Sequence, residues 1–135
     1  MTDFERFTAG LKWGCGLIAC GLSFLLGEND TLLSILIALL VLDYLTGVIS
    51  AYVSGKQLSS RVGMEGIAKK MMYLALVVLA NLMDKILNTP GSLRALVLGF
   101  LIANESLSVL ENCRKCGIPI PLKLKEALEK FKSPS

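Results

Sequence analysis

The chain contains no histidine among its 135 residues, and it has only four cysteines. Without an imidazole, neither a Ser–His–Asp nor a Cys–His catalytic arrangement can be built. Cys113 and Cys116 form a C-x-x-C motif, but a structural zinc site needs two further ligands that the surrounding sequence does not supply. We therefore interpret these two residues as reduced thiols, and we expect no metal, no cofactor and no enzyme activity.

Charged residues are scarce as well. They make up 19% of the chain against 53% for apolar residues, whereas soluble domains average about 25% charged and about 45–50% apolar. The mean hydropathy is +0.62, and the apolar residues are gathered in blocks with the charges between them. This pattern predicts an all-α, polytopic membrane protein: a single membrane domain over residues 1–135 with three to four transmembrane helices in hairpins, plus a C-terminal amphipathic helix.

The clearest predicted span covers residues 31–53, where one ionisable group, Asp43, lies near the middle of a leucine-rich run. About 20 helical residues cross the hydrocarbon core, and the apolar side chains of this run outweigh the cost of one aspartate. Residues 71–87 and 93–110 are shorter and more polar, and the Asn-Thr-Pro-Gly-Ser turn between them predicts a helical hairpin. Residues 8–27 form the weakest span, so three and four spans both stay open.

The block at 8–27 carries small residues at four-residue spacing, among them Gly10 and Gly14. Such spacing lets two helix backbones approach closely in a membrane. We expect this face to pack against another helix of the same chain rather than against a second copy.

Lysine and arginine are concentrated in alternate connections. The connection at 54–70 and the tail at 111–135 are basic, whereas the connections at 28–30 and 88–92 contain neither residue. The positive-inside rule then predicts a cytoplasmic loop and a cytoplasmic C-terminus. With four spans the N-terminus is also cytoplasmic; with three it lies outside or on the membrane surface. The residues expected to fix topology or to contact lipid are Lys56, Arg61, Lys69, Lys70, Arg114, Lys115, Lys123 and Lys125.

The tail also has an amphipathic pattern. After the prolines at 119 and 121, Leu124, Leu128 and Phe131 fall at i, i+4 and i+7, opposite a lysine-rich face. Such a helix can lie on an anionic membrane surface. A solvated tail that only sets topology is the alternative, and the sequence favours neither.

Polar residues recur at helical spacing inside the predicted spans, where they are costly and usually face a bundle interior, a partner or water. They form three stripes, one on each of the last three spans. The stripes are satisfied either within one protomer or across several protomers around a water path. The candidate pore and oligomer residues are Asp43, Gly47, Ser50, Asn81, Asp84, Asn104, Glu105, Ser108 and Asn112.

Several short motifs, in order from about Leu32 to Phe131, resemble the toxin-secretion/phage-lysis holin family of the bacteriophage holin family 4 type. They are Asp43-Tyr44-Leu45-Thr46-Gly47; Gly55-Lys56 with Leu58-Ser59-Ser60; Gly63, Gly66 and Lys69-Lys70; Asn104-Glu105-Ser106-Leu107-Ser108 with Glu111-Asn112; and Gly117-Ile118-Pro119-Ile120-Pro121 with Leu124. The specificity lies in their order and spacing, and the first thirty residues match less clearly.

This resemblance implies a protein that accumulates in the bacterial cytoplasmic membrane, forms homo-oligomers among the lipids and opens lesions at a set time. The lesions would release a cell-wall hydrolase, or in some relatives a toxin, and no nucleic acid is involved. The main alternative is a small four-helix proton-coupled transporter or ion channel, with Asp43 or Glu105 as the coupling carboxylate. Few aromatic residues surround either acid, which disfavours a substrate cage.

Overall fold

A computed structural model describes the backbone of residues 2–28, 30–56 and 59–132, with side chains up to residue 130. Leu58, from the second holin-like motif, and the side chain of Phe131, from the amphipathic pattern of the tail, lie outside the described residues. The described chain is helical, and its helices are α1 (Asp3–Leu26), α2 (Thr31–Val53), α3 (Ser60–Leu87), α4 (Ser92–Lys115) and α5 (Leu122–Lys132). Four of them, α1 to α4, are long and apolar enough to cross a membrane. The all-α polytopic prediction is confirmed, with four candidate spans.

Side-chain caps explain where several helices begin. Thr2 and Glu5 form a capping box at α1, the Asp30 carboxylate accepts from the Leu33 amide at the start of α2, and the Ser59 hydroxyl accepts from the Val62 amide at the start of α3. Such caps satisfy amide groups that have no partner within the helix. The α3–α4 turn needs a left-handed backbone at Asn88, where φ is 53°, and Asn tolerates that conformation better than most residues.

The connection after α2 is shorter than predicted. Residues 60–70, expected within a loop, form the first part of α3, which reaches 28 residues. A helix of that length is about 42 Å long, more than the roughly 30 Å of the hydrocarbon core. The basic residues Arg61, Lys69 and Lys70 therefore belong to a helix whose first turns extend toward the membrane surface.

Helix α4 is the centre of the bundle, because α2, α3 and α5 all pack against it, whereas α1 packs mainly against α3. The interior is a cluster of aliphatic side chains from α2, α3 and α4. In lipid, such a cluster is stabilised by close packing rather than by release of water, since the surroundings are equally apolar. Its buried members are Leu33, Leu36, Leu40, Val77, Leu98 and Leu101.

Helix α1 stands apart from this core. None of its residues is buried, and the Trp13 side chain is 76% exposed. A Cβ atom placed on Gly10, Gly14, Gly16 or Gly21 would meet no described atom within 4 Å. The expectation that this small-residue face packs within the chain is therefore wrong for the described residues, and the face is open to lipid or to another molecule.

Candidate functional site

The inward faces of α2 and α4 change from leucine to polar residues part-way along the bundle. On α2 the buried leucines are followed, three or four residues apart, by Asp43, Gly47 and Ser50, and on α4 the residues after Leu101 are Glu105, Ser108 and Asn112. Residues at this spacing share one helix face. One end of the bundle interior is therefore apolar, and the other end is polar.

A three-residue ion cluster forms where this change occurs. The Lys70 ammonium on α3 lies 2.8 Å from the Asp43 carboxylate on α2 and 2.6 Å from the Glu105 carboxylate on α4. Exposure of the three side chains is 17% for Lys70, 16% for Asp43 and 3% for Glu105. Charges this deep in a protein persist when they are paired, and here one cation joins all three core helices through two carboxylates.

Asn112, about two turns beyond Glu105 on α4, fixes the orientation of Asp43. Its side-chain amide donates to Asp43 Oδ1 at 3.0 Å and to Thr46 Oγ1 at 3.1 Å. Gly47 faces it, since a Cβ there would lie 3.7 Å from the Asn112 amide nitrogen, and Ser50 donates to the Gly47 carbonyl at 2.9 Å. Both oxygens of Asp43 are thus engaged by α3 and α4.

A cavity of ≈ 850 Å³ opens beside the ion cluster, between the second half of α2, the first half of α3 and the end of α4. On the α3 side of the cavity, Gly63 and Gly66 have no side chains to fill the space. The inner end is lined by Asp43, Lys70 and Ser108. The cavity reaches from the end of the bundle where α2 and α4 finish to the ion cluster. Beyond the cluster, the interior is filled by the leucine-rich core.

A second polar cluster lies at the opposite end of α3. The Asp84 carboxylate accepts from the backbone amides of Leu93 at 3.1 Å and Arg94 at 2.8 Å, and it also accepts from the Thr89 hydroxyl. Because Gly91 offers no side-chain cap to α4, Asp84 supplies one across the turn. Asp84, predicted as a pore or oligomer residue, links the two helices of the α3–α4 hairpin within this single chain.

Arg94 attaches the end of α1 to this hairpin. Its guanidinium donates to the carbonyls of Leu26 at 2.6 Å and Glu28 at 2.7 Å, and it pairs with Asp30 at 2.7 Å. The hydrogen bond from Arg94 holds the pKa of the Asp30 carboxyl below its ordinary value. Gly27 is needed here, because its φ is +84° and an added Cβ would lie 2.6 Å from Arg94 Nε.

Two further side chains bind the last carbonyls of α1. Asn81 donates to the carbonyls of Phe24 at 3.1 Å and Leu25 at 2.9 Å, and Lys85 donates to that of Phe24 at 2.9 Å. The Lys85 ammonium also lies 3.7 Å from the centre of the Phe24 ring. Cations suit helix C-termini, where the carbonyls carry a partial negative charge. The C-terminal end of α1 is therefore attached to the bundle by hydrogen bonds, whereas none of the α1 residues is buried.

The structure divides the predicted polar residues between these places. One set surrounds the ion cluster, while Asn81 and Asp84 lie eleven and fourteen residues further along α3 than Lys70, about 17 Å and about 21 Å away. Asn104 belongs to neither set and donates to the Tyr73 hydroxyl at 3.1 Å. Within the described residues, no buried side-chain nitrogen or oxygen lacks a hydrogen-bond partner. The members of the first set are Asp43, Gly47, Ser50, Glu105, Ser108 and Asn112.

Sequence reasoning missed Lys70 as a member of the ion cluster. It was predicted to be a loop lysine that sets topology, yet it lies seven residues before the buried Val77, on the inward face of α3. That spacing is the signal that could have identified it. Its neighbours Arg61 and Lys69 remain on the surface, where Arg61 pairs with Glu65 at 3.2 Å and Lys69 lies 6.0 Å from the centre of the Tyr73 ring.

No group of three or more potential metal ligands occurs within the described residues. Cys113 and Cys116 at the end of α4 are free thiols. The arrangement around Lys70 pairs one cation with two carboxylates beside a cavity.

Comparison with known proteins gives consistent matches along the chain. Residues 20–133 match the Bacteriophage holin family. An uncharacterised protein of Halalkalibacterium halodurans is 40% identical over 127 residues, covering 90% of this chain and 93% of that protein. An uncharacterised 14.9 kDa protein in the nagH 3′ region of Clostridium perfringens is 40% identical over 128 residues, covering 94% and 96%. A probable holin of Bacillus phage phi105 is 35% identical over 111 residues, covering 82% and 81%. No solved structure matches the chain.

Proposed function

Because this chain belongs to the bacteriophage holin family, we propose that it oligomerises in the bacterial cytoplasmic membrane and forms lesions that release a cell-wall hydrolase or a toxin. The observation that carries this proposal is the family match over residues 20–133, together with four helices able to span a membrane. In this proposal no substrate is turned over. The transporter or channel alternative has no comparable support among the family and relatives described above.

The distribution of charge supports an orientation with both termini in the cytoplasm. The end of the bundle where α2 and α4 finish and α3 begins carries Lys56, Arg61, Arg114 and Lys115. The cations Lys85 and Arg94 at the opposite end are bound to α1 carbonyls and to Asp30. Basic residues favour the cytoplasmic side, and an even number of spans returns the chain to the side where it started. The cavity beside Lys70 then opens toward the cytoplasm.

The packing of a single chain supports lesion formation by several copies rather than one. The leucine-rich core closes the interior beyond the ion cluster, and the buried polar side chains of the described residues are all paired inside the protomer. One copy thus presents many apolar side chains to lipid, and its described residues fill the interior beyond the ion cluster with aliphatic side chains. A passage wide enough for a folded protein requires copies to line water with their polar residues, because lipid cannot accommodate those residues.

Helix α1 offers a surface for contact between copies, since none of its residues is buried. Residues 10–25 of α1 are all exposed, and its glycine face is open. We propose that α1 makes protomer–protomer contacts, and that Asp43, Lys70 and Glu105 face water once the lesion has formed. The attachment of α1 through Leu26 and Arg94 would keep it linked to the bundle during this change.

The proposal is tested by inducing the chain in bacteria that also make a cell-wall hydrolase without an export signal. We expect lysis only when both proteins are present, preceded by a sudden loss of membrane potential. Lys70→Gln should shift the time of lysis, whereas Arg61→Gln, which removes the same charge from an exposed pair, should not. A hydrolase that stays in the cytoplasm after depolarisation would favour a small-ion channel and contradict the lesion.

A further inference from the structure

A groove of ≈ 1140 Å³ lies where the chain leaves α4 and turns back as α5. The turn depends on Gly117, whose φ of +79° is a left-handed conformation that glycine adopts without steric cost. From there the chain crosses the end of α4, and α5 packs against that helix. The groove therefore sits at the end of a membrane-spanning helix, where lipid chains give way to headgroups.

The groove has two chemically different parts. Its floor includes Leu107 and Leu110 of α4 together with Ile120 from the connection to α5. Its rim includes Arg114 and Lys115, which are the last two residues of α4. The apolar part faces the membrane-spanning portion of α4, and the charged part lies just beyond it.

The rim cations are available to a ligand. Among the ion pairs of the described residues, neither Arg114 nor Lys115 takes part. A third rim cation, Lys125, lies 3.7 Å from Glu129, and both side chains are about half exposed, 48% and 55%. Exposed pairs of this kind contribute little. With Glu111 as the second rim carboxylate, three cations face two acids, which leaves one positive charge in excess.

We propose that this groove binds one anionic phospholipid, with the phosphate between Arg114 and Lys115 and an acyl chain along Leu107 and Leu110. Basic pockets between helices at the cytoplasmic membrane face suit anionic headgroups. A small water-soluble anion would leave the apolar floor uncovered, and an uncharged lipid would leave the two cations without a partner. Phosphatidylglycerol matches best, because its headgroup hydroxyls can also donate to the rim carboxylates.

This inference rests on membrane insertion of α4 and not on lesion formation. A chain that fails to lyse cells can still bind the lipid, and a chain that lyses cells can lack the site. Loss of lipid binding and loss of lysis are therefore separate outcomes, and a binding measurement distinguishes them.

The test uses the full chain purified in detergent, with mass spectrometry of the intact protein–lipid complex during titration. Phosphatidylglycerol is compared with phosphatidylcholine of the same acyl chains. The variant Arg114→Gln/Lys115→Gln is compared with Lys123→Gln/Lys130→Gln, which removes the same charge from α5 positions that do not line the groove. We expect one tightly bound phosphatidylglycerol, and binding about tenfold weaker in the first variant than in the second.

Three results would overturn the proposal. Equal weakening in both double variants would indicate general attraction to a basic surface rather than a site. Equal binding of phosphatidylcholine would remove the role of the anionic headgroup. Displacement of the lipid by glycerol phosphate at similar concentration would indicate a site for a small anion. If the α4 double variant loses its helical circular dichroism, two single variants of α5 are compared instead. Lys125→Gln removes a cation that lines the groove, and Lys123→Gln, which does not line it, is the control.

Discussion

Lys70→Gln tests the ion cluster most sharply, because it removes the one cation that joins two carboxylates from different helices. Breaking a buried ion pair by removing one partner costs about 3–5 kcal/mol. Lys70 contacts Asp43 at 2.8 Å and Glu105 at 2.6 Å, but 17% of its side chain is exposed and a cavity adjoins it. We therefore expect the lower end of that range, about 3 kcal/mol of lost stability.

The assay is unfolding of the purified chain in mixed micelles with increasing SDS, followed by far-ultraviolet circular dichroism. Arg61→Gln is the matched control, because it removes the same charge from the same helix at a pair whose side chains are 88% and 67% exposed; its cost should stay below about 0.5 kcal/mol. Combining Lys70→Gln with Glu105→Gln should cost less than the sum of the single changes, since it also removes one of the carboxylates left without a partner. Equal stability of Lys70→Gln and Arg61→Gln would refute the reasoning.

Three further predictions concern the opposite end of the bundle and α1. Asp84→Ala should cost about 2 kcal/mol or more, because two backbone amides at the start of α4 lose their acceptor; hydrogen exchange at those amides checks the cause, and unchanged protection would count against it. The lowered pKa of Asp30 means that its pair with Arg94 stabilises the fold above about pH 4 and that this stability is lost as the pH falls through the lowered pKa. In Asp30→Asn that acid-side step of thermal unfolding should be reduced, and an identical pH profile would contradict the assignment. Gly14→Leu should leave protomer unfolding within about 0.5 kcal/mol of the unchanged chain, whereas Gly27→Ala should cost about 1–3 kcal/mol; the reverse order would mean that α1 packs differently.

The helices could be predicted because their signals are local. The 31–53 run is apolar apart from a few polar residues such as Asp43, and α2 has the same limits. The resemblance to holins, drawn from short motifs in a fixed order, is confirmed by the family match. Apolar runs and turn residues act within a few positions of the chain, so one sequence is enough to read them.

The partners of the polar residues could not be predicted, because they depend on how helices meet. Asn81 and Asp84 share a helix face, which suggested a common role, yet one binds the end of α1 and the other caps α4. A lysine in a basic segment predicts the same topology whether its side chain faces water or faces buried acids. The sequence pattern therefore did not reveal that Lys70 pairs with two carboxylates. Glycine spacing tells how closely a helix can be approached but not by which helix, and so the open face of α1 could not be foreseen.

The proposed lesion is tested most directly by reconstituting the purified chain into liposomes that enclose a small dye and a folded cell-wall hydrolase. Both solutes should leave the vesicles together once the protein passes a threshold density, because the lesion is proposed to admit a folded protein. Release of the dye while the hydrolase stays inside, at every protein density, would contradict the proposal and indicate a narrow channel.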